Sequence, residues 1–209
     1  MLSMEQELLK EQINVSRETM DRMSIYEQLV RKWNPAINLV AKSSLEDLWH
    51  RHFLDSIHLF DFAAPTSGLW LDLGSGGGFP GMIVAIIAKE KAPELRVTCI
   101  ESDIRKCEFL RTVARNTEVP MGVMSRRIED TPPQRANFLS ARALSGLPKL
   151  LEHAERHLDP DGTAMFLKGQ AWKDEVEEAR NIWSFDIETR ASLTQSGSAL
   201  LKLRNIVRA

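Results

Sequence analysis

The sequence predicts an α/β fold in which a mostly parallel, doubly wound (Rossmann-like) sheet carries helices on both of its faces. The first observation is that strand and helix patterns alternate from Gly68 onward, as they do in βαβ units. The second is a glycine-rich turn between the first of these strands and the first helix. The third is a pair of β-rich segments around Gln195-Ser196-Gly197, which predicts a terminal antiparallel hairpin.

Residues 1–65 show no strand pattern, and we predict that they form an N-terminal helical extension of a main domain over residues 66–209. An apolar stripe at helical spacing begins at Met20, and Asn34-Pro35 is expected to end that helix. Ser43-Ser44-Leu45-Glu46 has the form of a capping box and predicts the start of a second helix.

The main domain is predicted element by element from hydrophobic periodicity. Short β-branched or apolar runs indicate strands, and longer runs with apolar residues three and four apart indicate helices. The first half has strands over residues 69–73, 97–100 and 122–124, with helices over 81–88 and 104–115. The second half has strands over residues 138–141, 163–167, 185–193 and 200–207, with helices over 147–157 and 172–183.

The turn after the first strand, residues 72–81, reads Asp-Leu-Gly-Ser-Gly-Gly-Gly-Phe-Pro-Gly. So many glycines indicate that a ligand or another segment approaches the backbone closely. Met82 follows the last glycine, where a phosphate-binding loop has Lys, and Phe79 stands where a dinucleotide fingerprint starting at Gly74 needs glycine. The remaining pattern, Asp-x-Gly-x-Gly-x-Gly, resembles that of class I methyltransferases, which bind S-adenosylmethionine there. The alternative is a turn that only lets helix and strand pack closely.

Further candidates lie where other strands end, because ligands of such sheets bind beyond the carboxyl ends of the strands. Glu101 ends the second strand, where a carboxylate beside the glycine turn accepts hydrogen bonds from ribose hydroxyls, unless it is merely solvated. Ile128-Glu129 follows the third strand and suits an adenine ring, although Glu129 equally suits a turn cap. Arg142 ends an otherwise apolar strand, which favours a carboxylate or phosphate partner.

One helical pair, His52 and Asp55, is spaced for an interaction, which is more typical of a structural hydrogen bond than of a catalytic dyad. Cys99 and Cys107 fit neither a zinc site nor a disulfide framework, so no metal is expected.

Composition excludes other classes of protein. The net charge of −2 argues against a broadly basic nucleic-acid binder, and the weak basic bias of residues 101–142 also fits an ordinary solvated surface. The longest apolar run, residues 82–88, is too short for a membrane span. Residues 1–12 lack the basic flank and apolar block of a signal peptide. We therefore expect a cytoplasmic protein with no membrane partner.

Several short motifs occur together in one order along the chain. They are Trp33-Asn34-Pro35-Ala36-Ile37-Asn38-Leu39, Arg51-His52-Phe53-Leu54-Asp55-Ser56, the turn of residues 72–81, Lys106 with Phe109-Leu110, Arg127-Ile128-Glu129, Ser140-Ala141-Arg142-Ala143 and Lys168-Gly169. In that order the motifs resemble the RsmG family, over about residues 30–170. Ser75 stands where Thr is common in that family, and Cys107 where a second basic residue is common; the change at Cys107 puts one possible RNA contact in doubt.

The resemblance implies a class I methyltransferase fold and transfer of a methyl group from S-adenosylmethionine to N7 of one guanine in bacterial 16S ribosomal RNA. The implied partner is small-subunit ribosomal RNA or the 30S subunit, and a monomer is expected. The family's cofactor positions fall on Gly74, Phe79, Ile128, Glu129 and Arg142, to which the glycine turn and the strand end add Gly76, Gly78 and Glu101. The candidates for RNA binding are His52, Lys106, Arg127 and Lys168.

The absence of two kinds of motif from the sequence agrees with guanine N7 as the atom that accepts the methyl group. Methylation of an exocyclic amine usually uses an Asn or Asp followed by Pro-Pro after the fourth strand, and Arg142-Ala143-Leu144 stands there instead. Neither cysteine lies on a strand-end loop, as attack on a pyrimidine carbon would need. Guanine N7 has a free lone pair, so we expect no general base, and Arg142 is the candidate for positioning. The alternatives are another RNA nucleotide or a small molecule as substrate, or a non-catalytic RNA-binding assembly protein.

Overall fold

A seven-stranded mixed sheet forms the centre of the computed structural model, which describes residues 14–209. The strands are β1 Ser67–Leu73, β2 Glu94–Glu101, β3 Met121–Ser125, β4 Ala136–Arg142, β5 Leu158–Lys168, β6 Trp183–Ala191 and β7 Ala199–Arg208. The helices are α1 Arg17–Ile37, α2 Asp55–Ala63, α3 Gly81–Lys91, α4 Ile104–Thr117, α5 Leu147–His157 and α6 Trp172–Arg180.

The strand order is β3-β2-β1-β4-β5-β7-β6. Strands β1 to β5 pair in parallel, whereas β7 pairs antiparallel with both β5 and β6. The chain reverses its winding direction between β1 and β4, which is where open α/β sheets bind ligands. The predicted doubly wound sheet with a terminal antiparallel hairpin is confirmed.

Alternate side chains of each strand point into two apolar clusters, one on each face of the sheet. In β1, Trp70 enters the cluster formed with α1 to α4, whereas Leu71 and Leu73 enter the cluster formed with α5 and α6. Both faces are therefore buried, which explains why the parallel strands are rich in apolar residues.

The helix at the amino-terminal side of the described residues is longer than predicted. Proline was expected to end it, yet α1 runs through Pro35 to Ile37. Pro35 lies in the last turn, where its missing N–H costs a single hydrogen bond. The helix instead ends at Asn38, which has a left-handed φ of 52° and donates its N–H to the Asn34 carbonyl.

The predicted capping box at residues 43–46 is wrong. Lys42–Ser44 is a short 3₁₀ helix with no side-chain cap, and a π-helical turn, Trp49–Leu54, leads directly into α2. Tertiary packing holds this turn against α1, because the buried Phe53 ring lies 5.3 Å from the Tyr26 ring, between centroids, and Trp49 Nε1 donates to Glu27 Oε2 at 2.6 Å.

Several other boundaries differ from the predicted ones by a few residues, and two of these differences have a clear cause in the sequence. The helix predicted over residues 172–183 ends at Arg180, because Trp183 begins β6 and is buried in the cluster with α5 and α6. Strand β5 begins at Leu158, five positions before the predicted start at residue 163, since Pro160 and Gly162 obscure the strand pattern.

The predicted boundary at residue 65 stays a prediction. Helices α1 and α2 belong to the same buried cluster as α3 and α4. The predicted absence of a signal peptide concerns residues 1–12, which lie outside the described residues. Within residues 14–209, every helix is too short or too polar to cross a bilayer.

Candidate active site

The glycine turn between β1 and α3 has an unusual backbone. Gly74, Gly76 and Gly78 have φ angles of 60°, 54° and 97°, which residues with side chains rarely adopt. A Cβ on Gly74 would lie 2.6 Å from Leu144 Cδ1. A Cβ on Gly78 would lie 2.8 Å from the Tyr26 hydroxyl. At Gly76 the nearest atom is a carbonyl oxygen 3.8 Å away, so no protein atom crowds that position.

Glu101 lies beside this turn, as its place at the end of β2 predicts. Its side chain is buried, and Oε2 accepts a hydrogen bond from the Gly76 N–H at 2.8 Å. Oε1 accepts from the Asp103 N–H, also at 2.8 Å. An ionised carboxylate has about four acceptor positions, so each oxygen retains capacity for a further donor.

Beneath the turn lies a buried polar chain that the predicted site residues do not include. Trp70 Nε1 donates to Ser140 Oγ at 2.8 Å, and Ser140 Oγ donates to Asp72 Oδ1 at 2.6 Å. Burial raises the pKa of the Asp72 carboxyl to about 6, and the Ser140 hydrogen bond opposes that rise. The sequence signal for Asp72 is that it occupies the first position of the Asp-x-Gly-x-Gly-x-Gly pattern.

Aromatic side chains connect the turn to the helices before β1. The Tyr26 hydroxyl donates to the Gly77 carbonyl. The Phe79 ring lies 5.2 Å from the Tyr26 ring and 4.9 Å from the His52 ring, between centroids. Phe79 is therefore held by contacts from α1 and from the π-helical turn. Tyr26 was not predicted as a site residue, because it belongs to an ordinary apolar helical stripe.

The interaction considered between His52 and Asp55 does not form. The Asp55 carboxylate instead accepts hydrogen bonds from Ser192 Oγ at 3.0 Å and from Thr194 Oγ1 at 2.6 Å. Both hydroxyls follow β6, so Asp55 connects the first residue of α2 to the terminal hairpin. No local spacing predicts this connection, since the partners are 137 and 139 positions apart.

His52 and Arg142 are neighbouring half-buried groups whose buried nitrogen atoms include some without hydrogen-bond partners within residues 14–209. Burial lowers the pKa of His52 to about 3, helped by the positive charges of Arg142 and Arg51, so its ring is neutral. Both ring nitrogens lack a partner among the described residues. Arg142 Nη2 donates to the Arg51 carbonyl at 2.9 Å, whereas Nη1 has no partner in the described part of the chain. Burial also lowers the pKa of Arg142.

Lys168, at the end of β5, braces the loop after β4. Its Nζ lies 2.6 Å from Glu175 Oε2 and donates to the Ser145 carbonyl at 2.9 Å. The same Glu175 oxygen accepts from the Leu147 N–H at 2.7 Å. The Lys168 side chain is only 9% exposed, so its charge is already compensated inside the protein.

The loop after β3 carries the residues predicted to contact adenine. Ile128 is buried, and its carbonyl lies 3.2 Å from His157 Nε2 of α5. Glu129 is exposed, and its Oε1 lies 3.8 Å from His153 Nε2. Of the basic candidates, Arg127 is exposed on this loop and Lys106 is half-buried in the first turn of α4.

A cleft of about 240 Å³ opens at the carboxyl ends of β4 and β5, next to the terminal hairpin. We name it the strand-end cleft; its polar lining includes Asp55, Arg142, Lys168, Ser192 and Ser198. A larger recess of about 830 Å³ lies at the opposite edge of the sheet and shares no lining residue with it. Residues 14–209 contain no cluster of three or more side chains suited to a metal ion.

Solved structures share this architecture. A methyltransferase from Pyrococcus furiosus matches with a TM-score of 0.59 at 13% identity, covering 88% of this chain and 98% of that one. The ribosomal protein L11 methylase from Lactobacillus delbrueckii subsp. bulgaricus matches with a TM-score of 0.56 at 18% identity, covering 73% and 76%. The fold is therefore that of the class I methyltransferases, which use S-adenosylmethionine.

The sequence itself has much closer relatives. A family model described as rRNA small subunit methyltransferase G matches residues 19–206. Ribosomal RNA small subunit methyltransferase G from Ruegeria sp. (strain TM1040) is 52% identical over 197 residues, covering 94% of this chain and 96% of that protein. The protein of the same name from Ruegeria pomeroyi is 53% identical over 196 residues, with the same coverage. The chain belongs to the rRNA small subunit methyltransferase G family.

Proposed function

We propose that this protein transfers a methyl group from S-adenosylmethionine to N7 of a guanine in bacterial small-subunit ribosomal RNA. The observation that carries the proposal is the family match over residues 19–206. Relatives that are 52% and 53% identical carry the name ribosomal RNA small subunit methyltransferase G. We further infer a monomer that acts in the cytoplasm, where its RNA substrate is made.

The glycine turn fits the cofactor. Gly76 combines a positive φ with an uncrowded Cβ position, next to the buried Glu101 carboxylate. Glu101 is assigned to the ribose hydroxyls, Ile128 and Glu129 to the adenine, and the remaining contacts to Gly74, Gly78, Phe79 and Arg142. When bound, S-adenosylmethionine supplies a methyl group on a positively charged sulfur.

Guanine N7 suits the side chains that surround the turn. N7 already has an in-plane lone pair, so the protein need only hold the base in line at near-attack distance. His52 is neutral with a pKa of about 3, and burial raises the pKa of Cys99 well above its ordinary value. Neither group is therefore a ready base or thiolate nucleophile at neutral pH.

RNA binding is assigned to the edge of the sheet where the strands end. Arg127 and Lys106 are accessible there. Lys168 forms an ion pair with Glu175, so we assign it an indirect role in RNA binding: it holds the loop after β4 in position. His52 is half-buried against Phe79, and both of its ring nitrogens are buried, so its contact is limited to a nucleotide that enters the site. With a net charge of −2 for the chain, binding depends on these local groups rather than on a broad basic surface.

The test is methyl transfer by the purified protein with radiolabelled S-adenosylmethionine and four substrates: small-subunit RNA, assembled small subunits, large-subunit RNA and free guanosine. We expect label in small-subunit RNA or subunits and recovery as 7-methylguanosine after digestion. Another methylated nucleoside, or label in free guanosine, would support the alternative of a different substrate. Cofactor binding without transfer to any of the four would support a non-catalytic assembly protein.

A further inference from the structure

The strand-end cleft contains Asp55, a buried carboxylate to which the proposed cofactor site assigns no ligand, and it shares Arg142 with that site. Asp55 and Arg142 both line the cleft, as does Ser198, the residue before β7. The cleft adjoins the glycine turn through the loop after β4, since Leu144 is the side chain that a Cβ on Gly74 would strike. A molecule in the cleft would therefore lie next to the cofactor site.

Part of the polar lining of the cleft has no hydrogen-bond or ion-pair partner within the described chain. Asp55 is only 6% exposed, and no Lys, Arg or His of residues 14–209 lies within ion-pair distance of its carboxylate. Arg142 Nη1 and Ser198 Oγ are buried without a hydrogen-bond partner in the described chain. Buried polar groups without partners are costly, and native proteins keep them where a ligand completes the bonding.

We propose that the strand-end cleft binds the Watson–Crick edge of the target guanine, with Asp55 accepting hydrogen bonds from N1–H and the N2 amino group and Arg142 donating to O6. The proposal rests on the proposed function. Enzymes that modify a base take it out of the helical stack and read its Watson–Crick edge in a pocket. Because N7 lies on the opposite side of the purine from N1 and N2, a base held this way directs N7 out of the cleft.

The arrangement of charges selects guanine over adenine. Guanine presents two adjacent donors and one acceptor, which complement a carboxylate and a guanidinium. Adenine presents an acceptor at N1, which a carboxylate repels, and an amino group at the position of O6, which Arg142 repels. The hydroxyls of Ser192 and Thr194 occupy part of the Asp55 acceptor capacity and fix its orientation, leaving lone pairs for the base.

The experiment compares two RNA substrates that carry guanine or inosine at the acceptor position. Inosine keeps N7, O6 and N1–H but lacks the N2 amino group. For the wild type we expect kcat/KM to be about 10- to 100-fold higher with guanine, the effect of one charge-assisted hydrogen bond. Asp55→Asn replaces one acceptor by a donor that faces the N2 amino group. In this variant the ratio of kcat/KM for guanine RNA to that for inosine RNA should therefore fall to about twofold or less.

Thr194→Val is the matched control, because it removes a hydroxyl that donates to Asp55 but keeps the Asp55 carboxylate. It should retain the preference for guanine even if its activity falls. Binding of S-adenosylhomocysteine by calorimetry should be unchanged in both variants, which shows that the fold and the cofactor site are intact.

Besides an Asp55→Asn variant that keeps the full preference for guanine, two results would overturn the assignment of the cleft while leaving the proposed function standing. One is a wild type that methylates both RNAs equally well, a test that needs no variant. The other is loss of the preference in Thr194→Val to the same extent as in Asp55→Asn, which would mean that the order of the hairpin selects the base. A wild type that methylates neither RNA would overturn the proposed function and the cleft assignment together.

Discussion

Gly76 has a backbone conformation that favours glycine, yet no protein atom occupies the place of its missing side chain. Gly74 and Gly78 differ from it, because a side chain there would strike Leu144 or Tyr26. Packing thus explains Gly74 and Gly78, and we infer that a ligand takes the space beside Gly76. This contrast makes Gly76 the position at which cofactor binding and folding are best separated.

Gly76→Val should abolish binding of S-adenosylhomocysteine while the protein stays folded. The valine would project from the turn beside Glu101, and the left-handed backbone would add strain of about 1–3 kcal/mol. Calorimetry and thermal unfolding together measure both effects. Gly146→Ala is the control, since its added Cβ also meets its first neighbour at 3.8 Å but needs no positive φ. Near-native affinity in Gly76→Val would contradict the assignment of the turn.

Glu101→Ala should weaken cofactor binding by about 10- to 100-fold, through loss of about 1.5–3 kcal/mol of charge-assisted hydrogen bonding. The variant also leaves the Gly76 and Asp103 N–H groups without their acceptor. A 2′,3′-dideoxy analogue of the cofactor separates the two effects, because it lacks the hydroxyls that Glu101 is proposed to hold. It should bind the wild type and the variant with similar affinity. A wild type that prefers the hydroxylated cofactor no more than the variant does would refute the ribose contact.

Asp72 should make the protein less stable as pH rises. Its folded-state pKa of about 6 exceeds the ordinary 3.8, so the folded protein binds this proton more tightly than the unfolded chain does. That stabilisation is complete below pH 3.8 and is lost as pH rises through 6, in all about 2 kcal/mol between pH 4 and pH 7. Urea unfolding of the wild type and Asp72→Asn across this range measures the difference between them. Parallel pH profiles for the two proteins would contradict the shifted pKa.

At the scale of elements, local periodicity predicts every strand of the sheet and every helix between the strands. The segments it predicts poorly are those that depend on a backbone cap or on contacts with another element. Helix α1 continues through Pro35 because Asn38 supplies the cap one residue after its end. The π-helical turn packs against α1 through the Phe53 and Tyr26 rings and through the hydrogen bond from Trp49 to Glu27, which a capping-box pattern cannot predict.

Helix α1 is connected to the glycine turn by one buried hydroxyl, which gives the element a testable role. Tyr26→Phe removes the hydrogen bond to the Gly77 carbonyl but keeps the ring contacts with Phe53 and Phe79. The free energy of unfolding should fall by about 1–3 kcal/mol, because a buried carbonyl loses its partner. Affinity for S-adenosylhomocysteine should fall as well. Unchanged unfolding and unchanged affinity would show that α1 does not support the turn.

At the scale of the whole molecule, the topology brings the ends of five parallel strands to one edge. This is why Glu101, Ile128, Arg142 and Lys168 could be predicted as neighbours from their positions after strands alone. The partners of Asp55 could not, because Ser192 and Thr194 come from the other end of the chain. Nor could the engagement of Lys168 by Glu175 be read from the sequence, since it depends on how α6 packs against the sheet.

The most direct test of the central claim is methyl transfer to small-subunit RNA in which the acceptor guanine is replaced by its 7-deaza analogue. The analogue keeps the Watson–Crick edge and most of the shape of guanine but has no lone pair at position 7. We predict that the RNA still binds, that transfer stops, and that the matched guanine RNA yields 7-methylguanosine. Incorporation of label at the 7-deaza nucleotide would contradict N7 as the acceptor and would point to an exocyclic or ring-carbon target.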